Sequence, residues 1–369
     1  MSTLAVDAIV DSSNGNTATI NGATPTAYNT MGKNRIINGA MEIDQRNAGA
    51  SVAFTSNAYS LDRWVGAVGT ASGTTIQRST TSTAGFSNSA LITIGTGASP
   101  AAGAVNRIYQ VVEGYNIADL AWGTASAATV TLSFWVRSSV TGTFSGAMYG
   151  ASTIQSYLFT YSISSANTWE QKTVTVTGPT TGTWDSTNGT GVYVNFDLGS
   201  GSTFKNTAGA WVTGTYIGAT GATNLCTTSG ATFYITGVQL EAGSVATEFE
   251  RRPYGTELQL CQRYYFQMGT TANYEHYGIG VVQSGGSTTI VNMPVAMRAS
   301  PTLSYDGSLS NFRLYDGSAS PSPTNMLTDS AGLTTFSIFN AAAGLTIGRA
   351  SRFFRIGTNT ATLKFSAEL

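Results

Sequence analysis

Residues 235–266 read ITGVQLEAGSVATEFERRPYGTELQLCQRYYF, and this stretch divides the chain. Ile235 to Leu240 is predicted to be a buried β-strand, with a turn at Glu241-Ala242-Gly243-Ser244. A charged knot follows, Glu248-Phe249-Glu250-Arg251-Arg252, in a chain only 10% charged, and Pro253 closes it. Two acids beside two arginines point to a salt-bridged clamp at a domain junction rather than to a catalytic carboxylate pair. Next, Thr256 is placed as an N-cap, with Gln259 completing a capping box. Leu258, Cys261, Tyr265 and Met268 then fall at helical spacing. The expectation is a linking helix over residues 255–268. Its apolar face either meets its copies on an oligomer axis or packs on its own domain.

Outward from this divide, the composition is that of strands and turns. The 369 residues allow two or three domains. Glycine occurs 42 times, aromatics make up 11%, and Thr, Ser and Asn are abundant. Thr, Val, Tyr and Phe suit pleated surfaces, and Gly, Asn and Ser suit turns. The fold class expected is therefore all-β: an antiparallel jelly-roll-like β-sandwich, one linking helix, and a second, smaller β-rich C-terminal domain. Strands are predicted near residues 89–94, 106–112, 128–137, 157–163, 169–176, 191–198 and 232–240. In the third of these, Val130, Leu132, Phe134 and Val136 alternate with Thr131, Ser133, Trp135 and Arg137, giving one apolar face. Ile36, Ile37, Met41 and Ile43 mark a further strand, and residues 116–122 a short helical turn. In Asp62-Arg63-Trp64, the tryptophan is read as a core aromatic, with the two charges pairing at its edge. The C-terminal region opens with a strand over residues 274–282 and ends with strands over 352–356 and 361–365. Asp306-Gly307 and Asp316-Gly317 are turn dipeptides. The boundaries drawn are 1–33, 34–254, 255–268 and 269–369. The first of these segments is small and polar, with a hairpin signal at Asn14-Gly15, and is either a free tail or a piece that orders on a partner.

Charge and residue content exclude several function classes. The formal net charge is −1, with Lys and Arg scattered, so no nucleic acid is expected as a partner. No apolar run approaches the length of a membrane span, and the N-terminus lacks a signal-peptide pattern. The single histidine, His276, offers neither a zinc cluster nor a recognisable triad. No phosphate-cradling loop is present. Neither metal, cofactor nor enzymatic activity is predicted. Cys226 and Cys261 read as buried free thiols. Many strands with few charges favour a tight homo-oligomer that covers its edges. Binding is the better prospect, because sugar rings sit on aromatic faces beside amide and carboxylate groups. Three candidate clusters carry those residue types: Trp184, Asp185 and Asn188; Trp211 and Tyr216; and Tyr274, His276 and Tyr277.

Two stretches also carry a resemblance. NRIINGAMEIDQRNAGASVAFTSNAYSLDRWVG, from Asn34 to Gly66, and VQLEAGSVATEFERRPYGTELQLCQRYY both closely resemble segments of tail fibre proteins of tailed bacteriophages. The resemblance implies a virion protein of the tail, assembled in the host bacterial cytoplasm, whose N-terminus attaches to another tail or baseplate protein. It also implies a homotrimer, a variable C-terminal tip, and recognition of a host surface glycan during adsorption. The strand order resembles the jelly rolls of carbohydrate-binding modules. Those often hold a structural calcium, and Glu42 matches their early glutamate. Thr236-Gly237-Val238 has glycine where a carboxylate would be needed, so calcium is not predicted. A purely structural virion protein is the alternative, and a polysaccharide depolymerase a more distant one.

Overall fold

The structure is a computed structural model that describes residues 32–54, 58–152, 154–269, 274–357 and 361–369. The expected attachment segment therefore lies outside the described residues up to position 31, as does its Asn14-Gly15 turn. The described chain is all-β apart from one α-helix and short 3₁₀ turns, and it divides into two compact units between Arg252 and Pro253.

The first unit is an antiparallel sandwich. In chain order its strands are β1 Val52–Ala53, β2 Ala58–Leu61, β3 Trp64–Val68, β4 Thr75–Ser79, β5 Ser89–Thr93, β6 Asn106–Glu113, β7 Val130–Ser138 and β8 Gly142–Tyr149. They continue with β9 Gln155–Ile163, β10 Glu170–Val176, β11 Thr190–Asp197, β12 Lys205–Asn206, β13 Trp211–Thr213, β14 Gly218–Ala219 and β15 Thr232–Ala242. One sheet runs β1-β4-β5-β15-β7-β10 and the other β13-β9-β8-β11-β6-β3-β2, with β12 and β14 forming a separate parallel pair. Alternation decides the core. Val130, Leu132, Phe134 and Val136 of β7 are each 0% exposed, and they face Val192, Val194 and Phe196 of β11 in the same cluster. The Phe134 and Phe196 rings meet at 4.9 Å and 72°, an edge-to-face arrangement. Strand β8 has no sequence signal of comparable clarity because two glycines interrupt it. Gly146 is required there, since a side chain would collide with the Phe159 ring and the Asn195 carbonyl of the adjoining strands.

Residues 36–43 are not a strand, contrary to the apolar pattern. Ile36, Ile37, Met41 and Ile43 are buried, but Asn38 and Met41 adopt φ of 57° and 58°, which no strand tolerates. Side chains satisfy the backbone instead. The Ile37 N–H donates to Gln110 Oε1 at 2.9 Å, and Gln110 Nε2 donates to the Ile37 carbonyl at 2.7 Å. Asn38 Nδ2 donates to the carbonyls of Ile43 (2.7 Å) and Asp62 (2.9 Å), and its Oδ1 accepts the Ile43 N–H at 2.9 Å. Trp64 is fully buried, as expected, and its indole N–H donates to the Asn38 carbonyl at 3.0 Å. Asp62 receives Gln45 and Arg46, while Arg63 turns to the Val111 carbonyl.

The two stretches that carry the resemblance are one structure. Asn34 Oδ1 accepts the Leu240 N–H, its Nδ2 donates to the Val238 carbonyl, and the Arg35 N–H donates to the Leu240 carbonyl. Glu250 takes the Gly32 and Asn34 N–H groups, each at 2.7 Å, one on each carboxylate oxygen. Arg252 donates to the Asn34 and Ile36 carbonyls and pairs with Glu250 at 3.4 Å. Arg251 lies over the rings of Phe86 and Phe249 at 4.7 and 5.8 Å. Lys33 Nζ reaches the Glu248 carbonyl. The charged knot is thus a clasp that ties the start of the sandwich to its end within the first unit.

The second unit holds α1 Tyr254–Gln262, β16 Tyr265–Met268, β17 His276–Gln283, β18 Gly286–Asn292, β19 Thr302–Asp306, β20 Phe312–Tyr315, β21 Asn325–Ala331, β22 Thr335–Ala341, β23 Ala350–Arg355 and β24 Thr362–Ser366. The predicted helix is too long at its C-terminal end. Pro253, not Thr256, occupies the N-cap position, and Arg263 is the C-cap. Leu258 and Cys261 lie on α1, whereas Tyr265 and Met268 belong to β16 and cannot share a helical face with them. Tyr265-Phe266 follow the helix, and aromatic residues favour pairing on a sheet: β16 pairs with β24, stacking Phe266 on Phe365 at 6.1 Å. A three-stranded sheet, β16-β24-β19, packs on a six-stranded one, β20-β23-β17-β18-β22-β21, around Phe312, Phe336, Phe353 and Phe365. Both cysteines are free and buried, Cys226 in the first unit and Cys261 in the second.

Candidate functional site

Three tryptophans meet at one edge of the sandwich. Trp122 follows the 3₁₀ turns after β6, Trp184 lies in the loop between β10 and β11, and Trp211 opens the edge strand β13. The two loops are zipped together by the Gly114 N–H on the Gly189 carbonyl (2.9 Å) and the Tyr115 N–H on the Thr187 carbonyl (2.7 Å). Gly114 permits this approach, since a side chain there would strike Asp185 and Thr187. The rings form an edge-to-face triangle: Trp122–Trp184 at 4.9 Å, Trp122–Trp211 at 5.8 Å and Trp184–Trp211 at 5.4 Å. Tyr157 of β9 adds a fourth ring, 5.6 Å from Trp211. Each indole N–H is already committed to a carbonyl: Trp122 to Ala128, Trp184 to Thr181 and Trp211 to Thr177. What remains for a ligand is ring face and edge, not N–H donors.

Beside this triangle lies a cavity of about 190 Å³, lined by Ile117, Ala118, Ala121, Trp122, Trp184, Asp185 and Ser186. That is smaller than the roughly 300–1,000 Å³ typical of pockets that enclose a whole small molecule, and fits a single ring. Asp185 Oδ1 accepts the Thr187 N–H and hydroxyl, each at 2.7 Å, while Oδ2 accepts no hydrogen bond among the described residues. The cavity thus offers an apolar wall, a hydroxyl at Ser186 and one carboxylate oxygen. Of the residues singled out from sequence, Trp184 and Asp185 line it, Trp211 backs it, and Asn188 lies exposed in the same loop. Tyr216 is half-buried, with its ring against Gly214 and its N–H on Ser156 Oγ. Trp122 carried no ligand signal in the sequence, because its loop is distant along the chain from Trp184.

A second group went unread in the sequence. On the outer face of the seven-stranded sheet, Tyr149 stacks on Tyr193 at 4.3 Å and 13°. Arg107 lies over Tyr109 at 4.1 Å and donates to Tyr149 Oη (2.7 Å) and Asn195 Oδ1 (2.9 Å). Burial pushes the Tyr149 phenol up to about 12, with Arg107 opposing the shift, and burial raises Tyr109 in the same way. These phenols are neutral at neutral pH and serve as hydrogen-bonding groups. The available signal was the period of two that sets Arg107 with Tyr109, and Tyr193 with Asn195, on one face.

The C-terminal candidates separate. Tyr274 is 63% exposed and His276 is also exposed, its ring 5.5 Å from Phe354. Tyr277 is not a surface residue. It is 3% exposed, packs on Phe312 and Phe353, and donates its hydroxyl to the Ala361 carbonyl. A bulge between His276 and Gly278 turns it inward, since strict alternation with the exposed Ile279 and Val281 would put it on the open face. Among the described residues no group of three or more His, Cys, Asp or Glu side chains forms a metal site, and no helix is long and apolar enough to cross a membrane.

No family model matches the sequence, and no curated protein matches it. Solved structures do. The enzymatically active domain of Bacteriophage CBA120 tailspike protein 4 is 13% identical, with a TM-score of 0.29 over 57% of this chain and 21% of that one. A CBM4 module is 14% identical, with a TM-score of 0.28 over 56% of this chain and 98% of the module. The C-terminal family 22 carbohydrate binding module of Clostridium thermocellum Xyn10B is 15% identical, with a TM-score of 0.27 over 56% and 100%. Likeness at this level carries no argument about ligand or partner. The sandwich rests on its own sheet topology.

Proposed function

We propose that this chain is a bacteriophage tail fibre protein that binds a glycan of the host-cell surface during adsorption. In this reading it is a virion component and a homotrimer, is joined through its N-terminal segment to another tail or baseplate protein, and acts by binding rather than catalysis. The observation that carries the glycan reading is the cavity walled by Trp122 and Trp184 with Asp185 and Ser186 at its rim. A pyranose presents C–H groups to an aromatic face and hydroxyls to a carboxylate, and this cavity offers both within one ring's span. Its lining holds one carboxylate, where glycoside hydrolysis by the usual route needs two. The tail-fibre part of the reading rests on the two sequence stretches that form the clasp.

The test is binding of the full-length, labelled protein to host cells and to a glycan panel, with Trp184→Ala and Asp185→Asn alongside. Loss of a ring that anchors a ligand should cost about 2 kcal/mol, roughly thirtyfold in affinity. Trp184→Phe, which keeps an aromatic in the triangle, should bind with an intermediate affinity. Unchanged binding by Trp184→Ala removes the cavity as the site. Tyr274→Ala and His276→Ala then locate the site at the C-terminal unit if they abolish binding. No adsorption by the intact wild-type oligomer favours the purely structural virion protein, and released oligosaccharides favour the depolymerase.

A further inference from the structure

The six-stranded sheet of the second unit has one face on the core and the other uncovered. Antiparallel sheets of this kind normally carry polar residues on the open face. Here the middle of that face is apolar. Ile279 is 71% exposed, Val281 49%, Ile290 46% and Leu327 50%. These residues are neighbours by register. Ile279 pairs with Ile290, and Val281 with Thr288, which continues through Phe339 to Leu327. Scattered surface leucines and isoleucines need no explanation, but a contiguous group on one sheet face does.

The charges flank this patch in opposite senses. The row through Ile279 and Ile290 runs from Tyr315 and Arg352 on one side to Ser337 on the other. Ser337 donates to Asp329, the bulged residue of the edge strand β21. Arg352 lies over Tyr315 at 4.9 Å and has no ion-pair partner among the described residues, nor does Asp329. From β23 to β21 is four strand spacings, roughly 19 Å at about 4.8 Å each. One face therefore carries a cation, an apolar centre and an anion in line.

We propose that this face is the contact between copies of this chain, with Arg352 of one copy against Asp329 of the next and the isoleucines between them. A second copy supplies the required complement by symmetry, because rotation brings the cationic side of one face to the anionic side of the other. The helix α1 is not needed for this contact: of the four residues expected on its face, two are on β16 and Cys261 is fully buried. The assignment is independent of the glycan reading.

The experiment is sedimentation equilibrium and native mass measurement of the full chain across micromolar concentrations. Four forms are compared: wild type, Ile279→Asp, Arg352→Asp, and the swap Arg352→Asp with Asp329→Arg. The expected result is an oligomeric wild type, association weakened at least tenfold towards monomer in each single variant, and recovery of the oligomer in the swap. Protection of the Cys261 thiol in each variant reports that the second unit is folded. A monomeric wild type overturns the proposal, as does an Ile279→Asp variant that stays oligomeric with unchanged dissociation. A swap that remains monomeric while the unit is folded overturns the pairing of Arg352 with Asp329.

Discussion

Replacing Asn38 by alanine should be among the most damaging single changes in the first unit. The side chain is 1% exposed and serves three main-chain groups: the Ile43 N–H, the Ile43 carbonyl and the Asp62 carbonyl. Each buried group left unsatisfied costs about 1–3 kcal/mol. Water entering the vacated space favours the low end, so the three together amount to roughly 3 kcal/mol. The backbone at φ 57° adds roughly 1 kcal/mol for a residue with a Cβ and no side-chain bond of its own. The sum is about 4 kcal/mol, a large share of the roughly 5–15 kcal/mol that holds a typical domain folded. Asn38→Gly loses the same hydrogen bonds but not the backbone conformation, and should be milder than alanine. Urea unfolding followed by tryptophan fluorescence measures both. All 6 tryptophans precede Pro253, so the signal belongs to the first unit alone. A loss below about 1 kcal/mol for Asn38→Ala would refute the reasoning that these bonds, rather than apolar burial alone, hold residues 36–43.

Two further predictions follow from buried and hydrogen-bonded groups. Burial, together with the charge of Asp197, pushes the Cys226 thiol up to about 12, and Cys261 is also fully buried. Neither should react with a thiol reagent at pH 8 in the native state, and labelling during denaturation should report the two units separately, Cys226 for the first and Cys261 for the second; rapid native labelling of Cys226 would contradict its burial. In the second unit, the N–H groups of Ala319, Thr346 and Ser318 hold the Asp316 carboxyl well below the usual carboxylate range. A depressed carboxylate stabilises the fold fully above its unfolded pKa of about 3.9 and loses that contribution as pH falls towards the folded value. Wild type and Asp316→Asn should therefore differ in stability at neutral pH and converge in acid below pH 4, and a gap that widens in acid would reverse the assigned sign.

Which parts were legible in the sequence follows from whether a residue's partners are near or far along the chain. The alternation of Val130, Leu132, Phe134 and Val136 marks both a strand and its buried face, because a period of two is a local property. The same holds for the long final strand of the sandwich, for Trp64 in the core and for the buried thiols. Tyr277 was misread because it was grouped with its neighbours Tyr274 and His276; a bulge between His276 and Gly278, which the sequence does not mark, turns it inward. The helix was overextended because Leu258, Cys261, Tyr265 and Met268 satisfy helical spacing, and pairing of β16 with a strand about a hundred residues later overrides that pattern.

Sequence by itself determined the all-β class and the main sandwich strands. Only the tertiary structure decided which separated residues share a place. It closed Asn34 and Glu250 into one clasp, brought Trp122 to Trp184 and Trp211, stacked Tyr149 on Tyr193, and aligned Arg352, Ile279, Ile290 and Asp329 across one face. The reason is physical. Local geometry sets a residue's periodicity and thus its side of a strand, but strand order and register set its neighbours, and those are chosen by the packing of the whole core.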